Sequence, residues 1–156
     1  MDNPPHRLCG LDLQDYLASL DQFRLCPAFA SLAPRPELLE WFQRNGDAFE
    51  HHVLTARPTR TVAAGSSWVF THFGRWVRHF HFVPAARPDD LAPDSGAGKE
   101  CLLRQIGCVD FMVDDSAGNL KACAPLVGRG ILVPQPWNGG DHGITAVLGD
   151  LPVASH

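Results

Sequence analysis

The residues best suited to do chemistry are two adjacent carboxylates, Asp114 and Asp115. They follow the largely apolar run Val109-Asp110-Phe111-Met112-Val113 and precede Ser116, Gly118 and Asn119. An apolar run of that length bounded by turn residues reads as a buried strand. Ser116, Gly118 and Asn119 are turn and cap residues, so a helix is expected next. Two acids at the mouth of a buried strand are costly unless a cation or a hydrogen-bond network meets them. The pair is therefore either a metal site or a helix cap. Three other residues bear on the choice. Asp12 is a carboxylate that could act as a nucleophile, Thr55 offers a hydroxyl beside backbone N–H donors, and Lys99 carries a fixed positive charge. Together they make an inventory for phosphoryl transfer through an aspartyl-phosphate. That chemistry needs an attacking carboxylate, donors for the phosphate oxygens, and Mg2+ held by one or two carboxylates.

Each residue also has a plainer reading. Lys99 alone is a first-turn lysine, and Thr55 alone is a strand-end hydroxyl in a turn. His79 and His81 alternate in a strand and so share a face, where two half-buried imidazoles are favoured over a metal pair. Trp68, Phe70, Phe73 and Trp76 read as core or as a dimer face. The five cysteines (Cys9, Cys26, Cys101, Cys108 and Cys123) show no CxxC spacing and are assigned no ligand role.

The elements that must position these groups alternate between two periods. A weak strand is expected over His6–Leu13 and a helix over Asp15–Phe23. Pro36 opens a helix with Leu38, Leu39 and Phe42 on one face and Asn45-Gly46 as its stop. Strands follow at Phe49–Leu54 and Val77–Val83, with a helix over 62–73 between them. Ala85–Gly98 is a loop. Lys99 opens a helix with Leu102, Leu103 and Ile106 on its apolar face. The strand ending at the acid pair comes next, then a helix over about 117–127 and a fifth strand at Gly130–Pro134. Strands alternating with helices predict an α/β protein: a three-layer, Rossmann-like fold with a five-stranded parallel sheet flanked by helices. Ligands of open sheets bind beyond the carboxyl ends of the strands. Asp12, Thr55, Pro84 and the acid pair are all expected at that rim.

The 156 residues suffice for one domain with a real core, read as residues 6–138 with a tail over 139–156. Apolar residues make up 45% of the chain and charged residues 19%, a globular balance. A formal net charge of -4 disfavours a nucleic-acid partner. No apolar run approaches a bilayer's thickness and the first residues lack the layout of a signal peptide, so no membrane partner is expected. An odd set of cysteines without metal spacing suits reduced thiols and a cytoplasmic location.

With these residues in view, the chain resembles the haloacid dehalogenase (HAD) superfamily of phosphatases from about Leu8 to Asn138. Val53-Leu54-Thr55-Ala56-Arg57-Pro58 resembles that family's second motif, Lys99 its third-motif lysine, and Val113-Asp114-Asp115-Ser116 with Asn119 its acidic fourth motif. Ile131 to Asn138 resembles the strand and loop that often follow. The resemblance implies that Thr55 and Lys99 hold phosphate and that Asp115 binds Mg2+. Asp114 would steady Lys99 or a metal-bound water, and Asp12 would be both nucleophile and metal ligand. The first motif departs from the family's Asp-x-Asp: in Asp12-Leu13-Gln14-Asp15-Tyr16 the acid/base position is Gln14. Glutamine has no proton to exchange and cannot replace a group contributing roughly 10²–10⁴-fold. No insert is large enough to fold as a cap domain, so the resemblance implies a single capless domain with an open site. The expected substrate is a phosphorylated small molecule or macromolecule, with a homo-oligomer able to cover the site. Two functions stay open: a Mg2+-dependent phosphatase-like hydrolase, or a non-catalytic relative (a pseudoenzyme) with a binding or assembly role.

Overall fold

The computed structural model describes residues 5–85, 98–138, 144–151 and 153. In chain order the elements are α1 (Pro5–Leu8), α2 (Leu13–Leu25), α3 (Pro27–Ala30), α4 (Pro36–Asn45), β1 (His51–Arg57), α5 (Thr59–Phe73), β2 (Val77–Pro84), α6 (Lys99–Ile106), β3 (Val109–Asp114), α7 (Ala117–Cys123), β4 (Val127–Leu132) and α8 (Ile144–Asp150). Short 3-10 turns follow α4 and α7 at Gly46–Ala48 and Ala124–Leu126. The chain divides into two compact units, residues 17–97 with 153–156 and residues 1–16 with 98–152.

In the first unit, β1 and β2 pair in parallel, joined through α5. Cross-strand partners run from His52 and His79 to Arg57 and Pro84. Side chains alternate between the faces of a strand. Val53 therefore lies on one face, where it joins a core of Phe73, Trp76 and Val77 with Leu38, Leu39, Phe42, Trp68 and Val69. The apolar stripe of α4 (Leu38, Leu39 and Phe42) and that of α5 (Trp68, Val69 and Phe73) thus meet in one cluster. Pro36 sits in the first turn of α4, and a backbone N–H of Gly46 closes its end on Phe42. Asp21 of α2 is only 2% exposed and is met by Arg24, at 3.1 Å, and by Arg60 of α5, at 3.2 Å. The carboxylate is buried because it is paired.

The second unit repeats the pattern on a smaller scale. β3 and β4 pair in parallel, with Met112 opposite Gly130 and Asp114 opposite Leu132. The bare Cα of Gly130 lets Leu120 of α7 close onto the sheet; a Cβ there would meet that side chain at 3.3 Å. Leu103, Met112, Cys123, Ile131 and Val147 are its buried apolar residues. Gly107, at φ 93°, ends α6 in a conformation that favours glycine and turns the chain into β3.

Two expectations are corrected. Residues 6–13 form no strand. Pro5 starts a short helix, Gly10 turns the chain at φ 67°, and α2 begins at Leu13 with Asp12 as its cap. The five-stranded sheet is likewise not formed. The protein is α/β with parallel strands, but the strands make two separate two-stranded sheets. The other strands and helices lie near their expected places, with β1 running on to Arg57 and β4 starting earlier, at Val127. The loop expected over 85–98 lies almost wholly outside the described residues. The expected tail contains α8, which packs along β4 and pairs Asp150 with Arg129 at 3.4 Å.

Candidate functional site

β3 ends on Asp114, whose side chain lies on the same face as buried Met112 and is itself 8% exposed. Burial of a carboxylate demands donors, and three groups converge on it. Lys99 Nζ lies 2.5 Å from Oδ2, and the two side chains are 13% and 5% exposed. The backbone N–H of Ser116 donates to Oδ1 at 2.8 Å. The Asn119 side-chain amide reaches both oxygens, at 3.1 and 3.3 Å. Ser116 in turn caps α7, its hydroxyl accepting from the Asn119 N–H at 3.2 Å. Ser116 and Asn119 thus each bond both Asp114 and one another, and the sequence Asp-x-Ser-x-x-Asn folds into a closed network because a strand end, a turn and a helix start fall within six positions.

The loop after β4 fixes the next residue. Asn138 donates to the backbone carbonyls of Asp115, at 2.9 Å, and Val133, at 2.8 Å, and accepts from the Gln135 N–H at 2.9 Å. The Val133 N–H bonds the Asp114 carbonyl at 2.8 Å, continuing the ladder one step beyond β4. Asp115 is therefore held through its backbone while its side chain is exposed. Its carboxylate makes no hydrogen bond or ion pair among the described residues. Cys123 lies buried in the same unit. Burial pushes its thiol above the ordinary range, with Glu100 and Asp114 adding and Lys99 opposing.

A carboxylate with free oxygens on a fixed backbone fits Mg2+, which takes one or two carboxylates and completes its shell with water and phosphate. Asp115 meets that description. Asp114 does not, because both of its oxygens already accept from protein donors. Lys99 spends one of its three donors on Asp114 and can offer the others to an anion.

The remaining expected residues make other contacts. Asp12 caps α2, with Oδ1 accepting from the N–H groups of Gln14, at 2.8 Å, and Asp15, at 2.9 Å. The Asp15 N–H bond is the main reason its carboxyl titrates below the ordinary carboxylate value. Asp15, hydrogen-bonded to Asp12 and repelled by its charge, titrates above it. Gln14 meets Asp12 through its backbone. Thr55 belongs to the other unit, inside β1 opposite Phe82, where its hydroxyl lies 3.3 Å from Arg57 Nε. Arg57 carries further structural weight that sequence reasoning missed. Its guanidinium passes over Phe29 at 5.7 Å from the ring centre and fills the space above Gly65, where a Cβ would meet Nη1 at 2.6 Å. The glycine inside a helical pattern was the available signal. The roles of Asn119 and Asn138 as clamps also went unassigned, although both fall in the stretches that carry the family resemblance.

Comparisons with protein-family models, with curated proteins and with solved structures give no match. No helix among the described residues is long and apolar enough to cross a membrane.

Proposed function

We propose that the chain binds Mg2+ and a phosphoryl group at the end of β3 and acts as a haloacid dehalogenase-type hydrolase on a phosphorylated substrate. The observation that carries this reading is the buried Lys99–Asp114 pair directly beside the exposed, backbone-clamped Asp115. Asp115 would hold the cation. Asp114 is a positioning residue that holds Lys99 in place. Lys99 neutralises phosphate oxygens, and a bound Mg2+ would supply further charge neutralisation there. Asp12, which caps α2, would have to leave that cap to attack phosphorus; the bond to the leaving-group oxygen then breaks, and water hydrolyses the acyl phosphate. Gln14 supplies no proton to the leaving group, so substrates with acidic leaving groups should be favoured.

A second reading, a non-catalytic relative that binds phosphate or metal, draws support from Asp12. Its carboxylate is engaged as the cap of α2, and the neighbouring Gln14 cannot act as acid or base. A p-nitrophenyl phosphate assay with Mg2+ separates the two. Turnover that falls to background in both Asp12→Asn and Asp115→Asn supports the hydrolase. Equal turnover in wild type and Asp12→Asn rules out the aspartyl-phosphate. No turnover in any form, with Mn2+ binding that Asp115→Asn removes, establishes the binding protein.

A further inference from the structure

A second set of ligand groups stands on the β1–β2 pair and takes no part in the chemistry above. Partners in a parallel pair face the same way, and His52 is registered with His79 and Leu54 with His81. His52, His79 and His81 therefore share one face, opposite the face on which Val53 enters the core. One nitrogen from each imidazole lies within 4.8 Å of the other two. His52 Nδ1 and His81 Nε2 are 3.1 Å apart. A single carboxylate oxygen of Glu50 lies 3.1 Å from His52 Nε2 and 3.4 Å from His79 Nε2. The His52 and His81 rings are parallel to within 1°, and the short contact between them is a hydrogen bond when one of the two nitrogens carries the proton.

We propose that His52, His79 and His81 form a binding site for a divalent transition metal of the Zn2+ or Co2+ kind, with Glu50 as the residue that orients His52. Imidazole nitrogens suit these ions, whereas Mg2+ prefers oxygen. Zn–N bonds of about 2.0–2.1 Å in a tetrahedral shell place ligand nitrogens roughly 3.3 Å apart. The His52–His81 pair is already at that separation. Turning the rings about their outer torsions aims their lone pairs at a common point and brings in His79. Both the His52 side chain, 25% exposed, and that of His79, 49% exposed, are open to an arriving ion. Glu50 accepts the Nε2–H of His52, which leaves Nδ1 without a proton and free to ligate, the carboxylate–histidine–metal arrangement. The proton in the His52–His81 contact then sits on His81 Nε2, and it moves to Nδ1 of the same ring when Nε2 ligates the ion. The backbone positions of all three ligands are set by the strand ladder, and three protein ligands leave a coordination position open to water or to an exogenous donor.

The test is a Co2+ titration of the full chain followed by visible d–d absorption, with Zn2+ affinity measured by calorimetry. One ion per chain is expected. His79→Ala, at the most open position, should weaken Zn2+ binding by at least about 10-fold, and Glu50→Gln by roughly 10–100-fold with the Co2+ band retained. Circular dichroism verifies that each variant is folded; His81→Asn provides a second ligand variant should His79→Ala fail to fold. Asp115→Asn should leave the Co2+ band unchanged, which separates this site from the one at β3. Unchanged affinity in the histidine variants, a thiolate-to-cobalt charge-transfer band that alkylation of the cysteines abolishes, or no uptake of either ion overturns the proposal and leaves a hydrogen-bonded imidazole pair.

Discussion

Lys99 and Asp114 are each tolerable in their places only because of the other. Removing one partner of a buried pair leaves the other charge uncompensated, at a cost of about 3–5 kcal/mol. Ser116 and Asn119 still serve Asp114 when Lys99 is lost, so Lys99→Met is expected at the lower end, about 3 kcal/mol in urea unfolding. Lys99→Met with Asp114→Asn should cost less than the sum of the two single changes, because they share one interaction. Strict additivity would show that the pair is not coupled. A thiol prediction belongs beside it. Cys123, 1% exposed and with its thiol pushed up, should alkylate only as the chain unfolds, while exposed Cys9 and Cys108 react at once. Peptide mapping that finds Cys123 labelled as fast as Cys108 would contradict the burial. At this scale the acid pair and the residues around it were legible as a cluster because strand, turn and cap chemistry are local. The histidine group was only half legible. Alternation reveals His79 with His81, but His52 and Glu50 join them through strand register, which no local pattern encodes.

The helices were legible where punctuation is strong, at Pro36, Gly74 and Gly107. The failure at residues 6–13 has a physical cause. Asp12 accepts from two N–H groups at the start of α2, so capping wins over a weak apolar alternation broken by Gly10. The number of strands in a sheet failed for another reason. Apolar runs identify strands, but nothing within a run names its neighbour, and among the described residues each strand pairs with the one joined to it by a single crossover. Glycine placement in β4 makes a test at this scale. A Cβ on Gly128 would sit 2.8 Å from the Asp110 carbonyl oxygen, and backbone cannot swing aside. Gly128→Ala should therefore destabilise the β3–β4 pair by about 1–3 kcal/mol, the usual range for overpacking, against the propensity gain of removing a strand glycine. A melting temperature equal to or above that of the wild type would refute the close approach.

The stability of the whole chain should depend on pH through its histidines. His51 sits among Trp41, Phe42 and Phe49, with Nε2 2.9 Å from the Gly46 carbonyl. Burial holds its pKa below the ordinary imidazole value, with His52 adding and the Gly46 bond opposing. His81 is lowered in the same direction by burial and by His52 and His79. An unfolded imidazole titrates near 6.5, so below that pH the unfolded chain takes up protons that the folded chain refuses. The contribution is fully present above about pH 6.5 and is lost as pH falls through the folded values. Urea midpoints should drop between about pH 7.5 and pH 5.5, and His51→Gln should flatten part of that slope. A midpoint that rises on acidification would reverse the sign.

The single-crossover pairing of both strand pairs also sets an order of events for a chain leaving the ribosome. β1, α5 and β2 are contiguous, so their long-range contacts need only a short loop to close, and topologies of low contact order assemble quickly. That unit has all of its strands and main helices before α6 is synthesised. Residues 1–16, by contrast, share a unit with residues 98–152, so the earlier segment must wait for the later one. Refolding from denaturant, where both segments are present at once, removes that wait, and residues 1–16 are where co-translational and in vitro folding should differ most.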